Sequence, residues 1–295
     1  MRPVLGLAAV LIAATIMGAR AVCAPADVAV GPQYDSTHVY MAPDQVEAFG
    51  ASFVATFGGR ATKPSVTTVT PTPSSTVLEA LFTPVGLVSV FGFTTPIPYP
   101  FGQERTGYLV GDLDGAVAAA RKAGAEVVVA PFPDPIGRDA VIRWPGGVAM
   151  QLYWHTTPPS YAALTSVPEN RVYVSGDAVQ DFVRDFAAFS GARVVSDDPK
   201  APGDEIGCPG GTYRRIRLTS TFGRMTVLVT DGHLVWPYGR ELTGYEVANL
   251  ADTLAKAKAA GAEVLVGPYA AAGRDAAMLR FPGGYIAEVH AERRP

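Results

Sequence analysis

FGQERTGYLVGDLDGAVAAARKAGAEVVVAPF, residues 101 to 132, is answered by YGRELTGYEVANLADTLAKAKAAGAEVLVGPY, residues 238 to 269, at an offset of 137 residues. A stretch this long that occurs twice means that whatever it folds into is built twice. Downstream, after a one-residue slip, GRDA from Gly137 is matched by GRDA from Gly273, and WPGG from Trp144 by FPGG from Phe281. Upstream, HVYMAPDQVEAFGASF from His38 corresponds to RVYVSGDAVQDFVRDF from Arg171 at a smaller offset, the difference being absorbed by an insertion around Ser196 to Pro209. The repeat predicts two domains, 34–155 and 170–292, joined by the Pro-, Thr- and Ser-rich linker 156–169.

Within each copy the signals run strand, helix, strands, and then the same again. Asp44 with Glu47 three residues on predicts a capping box that opens a first helix, with Val46, Phe49, Phe53 and Phe57 as its apolar face and Gly58-Gly59 as its stop. The second helix opens at Asp112 with the stripe Leu113, Val117 and Ala120, and ends at Gly124. The third carries Val179, Phe182, Val183, Phe186 and Phe189 before Gly191, and the fourth Leu250, Leu254 and Ala257 before Gly261. Short apolar or alternating runs such as GLVSVFGF and VAMQLYW read as strands. Four βαβββ units follow, an α+β chain with curled mixed sheets. The Thr/Pro segment 62–76 reads as a loop with an edge strand.

Composition narrows the partners. With 24 basic and 27 acidic side chains, a formal charge of −3 and no Lys/Arg block, the chain has no electrostatic footprint for nucleic acid. Cys23 and Cys208 are the only cysteines, too few for a disulfide framework, so an apolar core must hold the fold. At the N-terminus, Arg2 precedes an apolar run from Val4 to Met17, shorter than the roughly 20 residues a spanning helix needs, and Ala19-Arg20-Ala21 supplies small residues for cleavage. We expect a signal peptide over 1–21, a periplasmic or extracellular destination and no stable membrane span. Arg20, Ala21 and Val22 lack the pattern that would make Cys23 a lipid anchor. The expected partner is a small molecule, with the chain a monomer or homodimer.

The helix that follows V-G-D-L-D and ends K-A-G-A-E-V, then G-R-D-A and P-G-G-x-x-x-[E/Q], resembles the glyoxalase/bleomycin-resistance (vicinal oxygen chelate) superfamily over nearly the whole chain after residue 21. The resemblance implies paired βαβββ units whose curled sheets enclose a cavity. It further implies a divalent metal (Zn, Ni, Fe or Mn) held by ligands from first and last strands, and a lyase, isomerase or dioxygenase. The same scaffold also serves proteins that sequester a small molecule without chemistry. In the first half His38 stands at the family's first-strand ligand position, Arg105 where the second unit has His, and Gln151 where the last strand has Glu. The second half holds Arg171, Leu242 and Glu288 there. A guanidinium repels a metal, so the standard ligand set is incomplete.

Candidate catalytic residues are His38, Gln151 and Glu288, with His38 and Gln151 also the candidate metal ligands. Arg105, Tyr108, Tyr153, Tyr245 and His290 are the candidate substrate contacts. Arg105 suits a carboxylate or dicarbonyl group through its planar donor fork. Glu288 and His290 alternate on one strand and face one side. Tyr108 and Tyr245, equivalent in the two TGY segments, also read as packing residues whose hydroxyls reach a polar rim. The repeated Gly-Arg at 137/138 and 273/274 reads as a turn whose glycine takes positive φ. Two functions stay open: an exported lyase- or isomerase-type enzyme, and a non-catalytic sequestering protein.

Overall fold

The computed structural model describes residues 28–96, 102–231 and 241–293; the expected signal peptide, its cleavage point and Cys23 lie outside them. The first unit is β1 (Thr37–Met41), α1 (Val46–Phe57), two short strands β2 (Arg60–Ala61) and β3 (Ser65–Thr67), then β4 (Thr76–Thr83) and β5 (Gly86–Phe93). The second is β6 (Glu104–Leu109), α2 (Leu113–Lys122), β7 (Glu126–Pro133), β8 (Gly137–Arg143) and β9 (Ala149–His155). The third is β10 (Glu169–Ser175), α3 (Val179–Ser190), β11 (Arg193–Pro202), β12 (Thr212–Ser220) and β13 (Gly223–Thr230). The fourth is β14 (Glu241–Glu246), α4 (Leu250–Ala259), β15 (Glu263–Ala271), β16 (Arg274–Arg280) and β17 (Ile286–Glu292).

Units one and two share one sheet, ordered β2-β4-β5-β1-β6-β9-β8-β7, with β3 pairing β4 at the edge. Units three and four share the other, β11-β12-β13-β10-β14-β17-β16-β15. The first strands of paired units meet antiparallel at the centre, β1 on β6 and β10 on β14, and each first strand also lies parallel to its unit's last. The fold is therefore the α+β arrangement of four units that the sequence implies. Segment 62–76 supplies a loop and the exposed edge strand β3.

Alternation assigns each side chain to a face. Val39, Tyr108, Met150 and Leu152 leave the convex side of the first sheet, and Val172, Tyr245, Ala287 and Val289 that of the second. The helices cover those faces and pack across the halves. Phe49 and Phe53 of α1 share a core with Leu250 and Leu254 of α4, while Phe182, Phe186 and Phe189 of α3 join Leu113 and Val117 of α2. Each such aromatic contributes about 1.5–3 kcal/mol by leaving water. The concave faces are left for a site.

Two local expectations change. The capping box at Asp44 does not form: Pro43 opens a 3-10 turn over Pro43–Gln45, which puts Asp44 inside the turn, and α1 starts at Val46 without a side-chain cap. Asp112 and Asn249 do cap α2 and α4, accepting from Gly115 N and Asp252 N at 3.1 Å each. The two Gly-Arg dipeptides are not equivalent. Gly273 takes φ 86°, as a turn requires, but Gly137 is a strand residue outside the positive-φ region. Gly137 pairs with His155, whereas Arg274 pairs with Glu292, so the structural match is Gly137 to Arg274. The two hairpins are equal in length, but GRDA begins one position earlier in the second copy, so Arg274 faces the concave side while Arg138 points out to Asp114.

Candidate functional site

The concave face of the first sheet holds a cavity of about 340 Å³, in the range of small-molecule sites. His38 from β1, Arg105 from β6, and Gln151 and Tyr153 from β9 line it together, because β1, β6 and β9 are neighbours at the sheet centre and these residues share the inward parity. Tyr40, Phe91, Phe93 and Phe132 give it aromatic walls.

His38 is buried, and its Nε2 lies 3.1 Å from Asp35 Oδ2 while its Nδ1 has no hydrogen-bond partner. Asp35 is itself held from several sides. Ser89 Oγ donates to its Oδ2 at 2.5 Å, and the Tyr153 hydroxyl donates to its carbonyl at 2.5 Å. The imidazole needs the glycine of the first TGY segment: a Cβ on Gly107 would lie 2.3 Å from His38 Cε1. Arg105 donates from Nε and Nη2 to Gln151 Oε1, at 3.1 and 2.5 Å, and its guanidinium carbon lies 5.2 Å from the centre of the Tyr40 ring. Gln151 in turn bonds Asp139, whose pKa is raised to about 7 by burial and by Asp134, against the lowering effects of His38, Gln151 and Arg105. His155 closes the same row of β9, its pKa lowered by burial.

Sequence reading passed over Asp35, Ser89, Asp139, Tyr40 and Tyr161. Asp35 precedes the first strand and has no periodicity to mark it; its place three residues before His38 is the signal that could have flagged it. Asp139 sits in the GRDA taken as a turn. Tyr161 lies in the linker, which folds back on the first half, Leu164 N donating to Gln33 O at 2.7 Å.

The other candidates fall elsewhere. Tyr108 and Tyr245 share the convex parity, so neither reaches the cavity: Tyr108 packs edge-on against Phe222, and the Tyr245 hydroxyl meets that of Tyr285 at 3.0 Å. Glu288 and His290 belong to the second sheet, apart from His38. Their expected shared orientation is met, with His290 Nδ1 2.6 Å from Glu288 Oε2. The concave face of that second sheet is filled. Arg171, fully buried, reaches Glu169, Glu205 and Glu288 at 3.5, 3.1 and 3.3 Å. Arg215 pairs with Glu205 at 2.6 Å, and Tyr173, Leu228, Leu242 and Met278 pack beside them. Burial raises the Glu205 pKa, but Arg171 and Arg215 outweigh it and bring it to about 2.

In the first cavity the donor set does not fit a metal: Gln151 gives its amide oxygen to a guanidinium, and His38 Nε2 is turned to Asp35. Among the described residues, the one cluster of three or more His, Cys or carboxylate groups with ligand atoms within 4.8 Å of one another is Glu246, His290 and Glu292.

No family model matches the sequence, and no curated protein matches it significantly. Solved structures do match. A mutant of 4-hydroxymandelate synthase from Streptomyces coelicolor aligns over 90% of this chain and 95% of its own, with a TM-score of 0.62 at 13% identity. The 2,3-dioxygenase LapB from Pseudomonas sp. KL28 aligns over 90% and 94%, at 0.56 and 11%. A Mn(II)-bound glyoxalase from Novosphingobium aromaticivorans aligns over 90% and 84%, at 0.53 and 14%. Aligned over nine-tenths of its length, the protein shares the fold of these structures, the paired βαβββ fold implied by the resemblance to the glyoxalase/bleomycin-resistance (vicinal oxygen chelate) superfamily.

Proposed function

We propose that the protein binds a small aromatic or otherwise apolar carboxylate in the first cavity and transfers a proton on it, as a lyase- or isomerase-type enzyme. The observation that carries this reading is the convergence of a carboxylate-backed imidazole, His38 on Asp35, with the cation Arg105 inside aromatic walls. Arg105 would hold the carboxylate, and Tyr40, Phe91 and Phe93 the apolar body. With its Nε2 hydrogen directed to Asp35, His38 keeps Nδ1 as the basic nitrogen. Asp139, titrating near neutrality in the same wall, is a second group able to exchange a proton.

Non-catalytic sequestration is the second reading. It is favoured by Gln151, which is bonded to Arg105 at the position where the fold's enzymes are expected to place a metal ligand. Calorimetric titration with phenylpyruvate, mandelate and benzoate, paired with NMR of deuterium exchange on the bound acid in D2O, separates the two. Exchange in the wild type that His38→Ala abolishes supports the enzyme. Binding without exchange supports sequestration, and no binding by any of the three removes the carboxylate reading. We also propose export with cleavage after Ala21; a purified secreted chain beginning at Val22 is the expected finding, and one retaining Met1 contradicts it.

A further inference from the structure

In the second sheet, beside the filled concave face, Glu246 from β14, His290 and Glu292 from β17 bring one ligand atom each to within 4.8 Å of the others. The register explains the meeting: Glu246 is the parallel partner of His290, and Glu292 follows two residues on with the same parity. His290 is wholly buried, yet its Nε2 has no hydrogen-bond partner, an arrangement that costs stability unless something fills the position. Its Nδ1 is fixed by Glu288 at 2.6 Å, the carboxylate support that orients an imidazole toward a cation. Glu288 is in turn anchored by Arg171 at 3.3 Å, so the ring cannot turn away without breaking the buried network.

We propose that Glu246, His290 and Glu292 form a divalent-metal site, separate from the first cavity and displaced toward the strand ends from Arg171, Leu242 and Glu288. One nitrogen and two carboxylates favour Mn²⁺, Ni²⁺ or Zn²⁺ over the all-oxygen cations. Arg224 occupies the same ground as a counter-charge: its Nη2 lies 2.6 Å from Glu246 and its Nη1 3.9 Å from Glu292. The metal therefore competes with a half-exposed guanidinium, and binding ties β14 to β17.

The test is calorimetric titration of Mn²⁺, Ni²⁺ and Zn²⁺, each alone, into chelator-treated protein, with thermal melting alongside. One equivalent should bind and raise the melting temperature. Glu292→Gln and Glu246→Gln, both at exposed positions, should each weaken binding at least about tenfold. Arg224→Ala should tighten it by removing the competitor, and His38→Ala should leave it unchanged. The proposal is overturned if neither wild type nor Arg224→Ala binds any of the three ions, if binding survives both glutamine variants, or if His38→Ala abolishes it.

Discussion

Arg274 meets Glu169 through two hydrogen bonds, Nη1 to Oε2 at 2.9 Å and Nη2 to Oε1 at 2.8 Å, in a place almost closed to water. Arg274 is the anchor of the network that fills the second concave face, with Glu169 also accepting from Thr226 at 2.8 Å. Removing one partner leaves a buried charge, so Arg274→Ala should destabilise the protein by about 3–5 kcal/mol. Arg138, in the same motif but paired with exposed Asp114, should leave stability nearly unchanged as Arg138→Ala. Urea denaturation of the two variants side by side checks the contrast.

Gly107→Ala should damage the site more than the fold. The added methyl group cannot coexist with the His38 ring, so the imidazole must leave Asp35. Overpacking of this kind costs about 1–3 kcal/mol. Loss of carboxylate exchange with a melting transition still cooperative is the expected outcome; an unchanged exchange rate contradicts the placement of His38.

Asp139 ties ligand binding to pH. Burial and Asp134 hold its pKa up to about 7, so it is neutral in weak acid and ionised above that. Ionisation adds a negative charge to the wall that holds Arg105. Carboxylate affinity should therefore fall as pH rises through about 7, and Asp139→Asn should flatten the profile between pH 6 and 8.

Glu104 sits between the halves, accepting from Thr243 Oγ1 at 2.8 Å and the Tyr285 hydroxyl at 2.7 Å. Burial raises its pKa to about 7 despite those bonds. The folded state then holds a proton that the unfolded chain, with its ordinary value near 4.5, has lost. Stability should fall as pH rises from about 4.5 to 7, by on the order of 1–3 kcal/mol from this group. Glu104→Gln should remove that slope, which denaturation midpoints at pH 5 and pH 8 would show.

How far the sequence reaches depends on parity. The repeat and the helix stripes announce four βαβββ units, because 3.6-residue and two-residue periods survive divergence in side-chain identity. His38, Arg105 and Gln151 could be named because the family resemblance gives each a strand position, and Tyr153 because it ends the same strand as Gln151; the structure lines one cavity with all four. Arg274 was not, because GRDA is shifted by one position along β16 relative to β8, so the same four letters present opposite faces. Asp35 was not either, as its role depends on a non-repetitive lead-in that Ser89 and Tyr153 fix only in three dimensions. The filling of the second concavity likewise depends on Glu205, carried by the insertion, reaching Arg171 and Arg215.

The most direct test of the first cavity as a carboxylate site is calorimetric titration of phenylpyruvate into wild type, Arg105→Ala and Arg138→Ala. Loss of a charged hydrogen-bond donor is worth about 1.5–3 kcal/mol, so Arg105→Ala should weaken binding at least about tenfold while Arg138→Ala, outside the cavity, leaves it unchanged. Equal affinity in wild type and Arg105→Ala would contradict the assignment of Arg105 as the anion anchor, and with it the site.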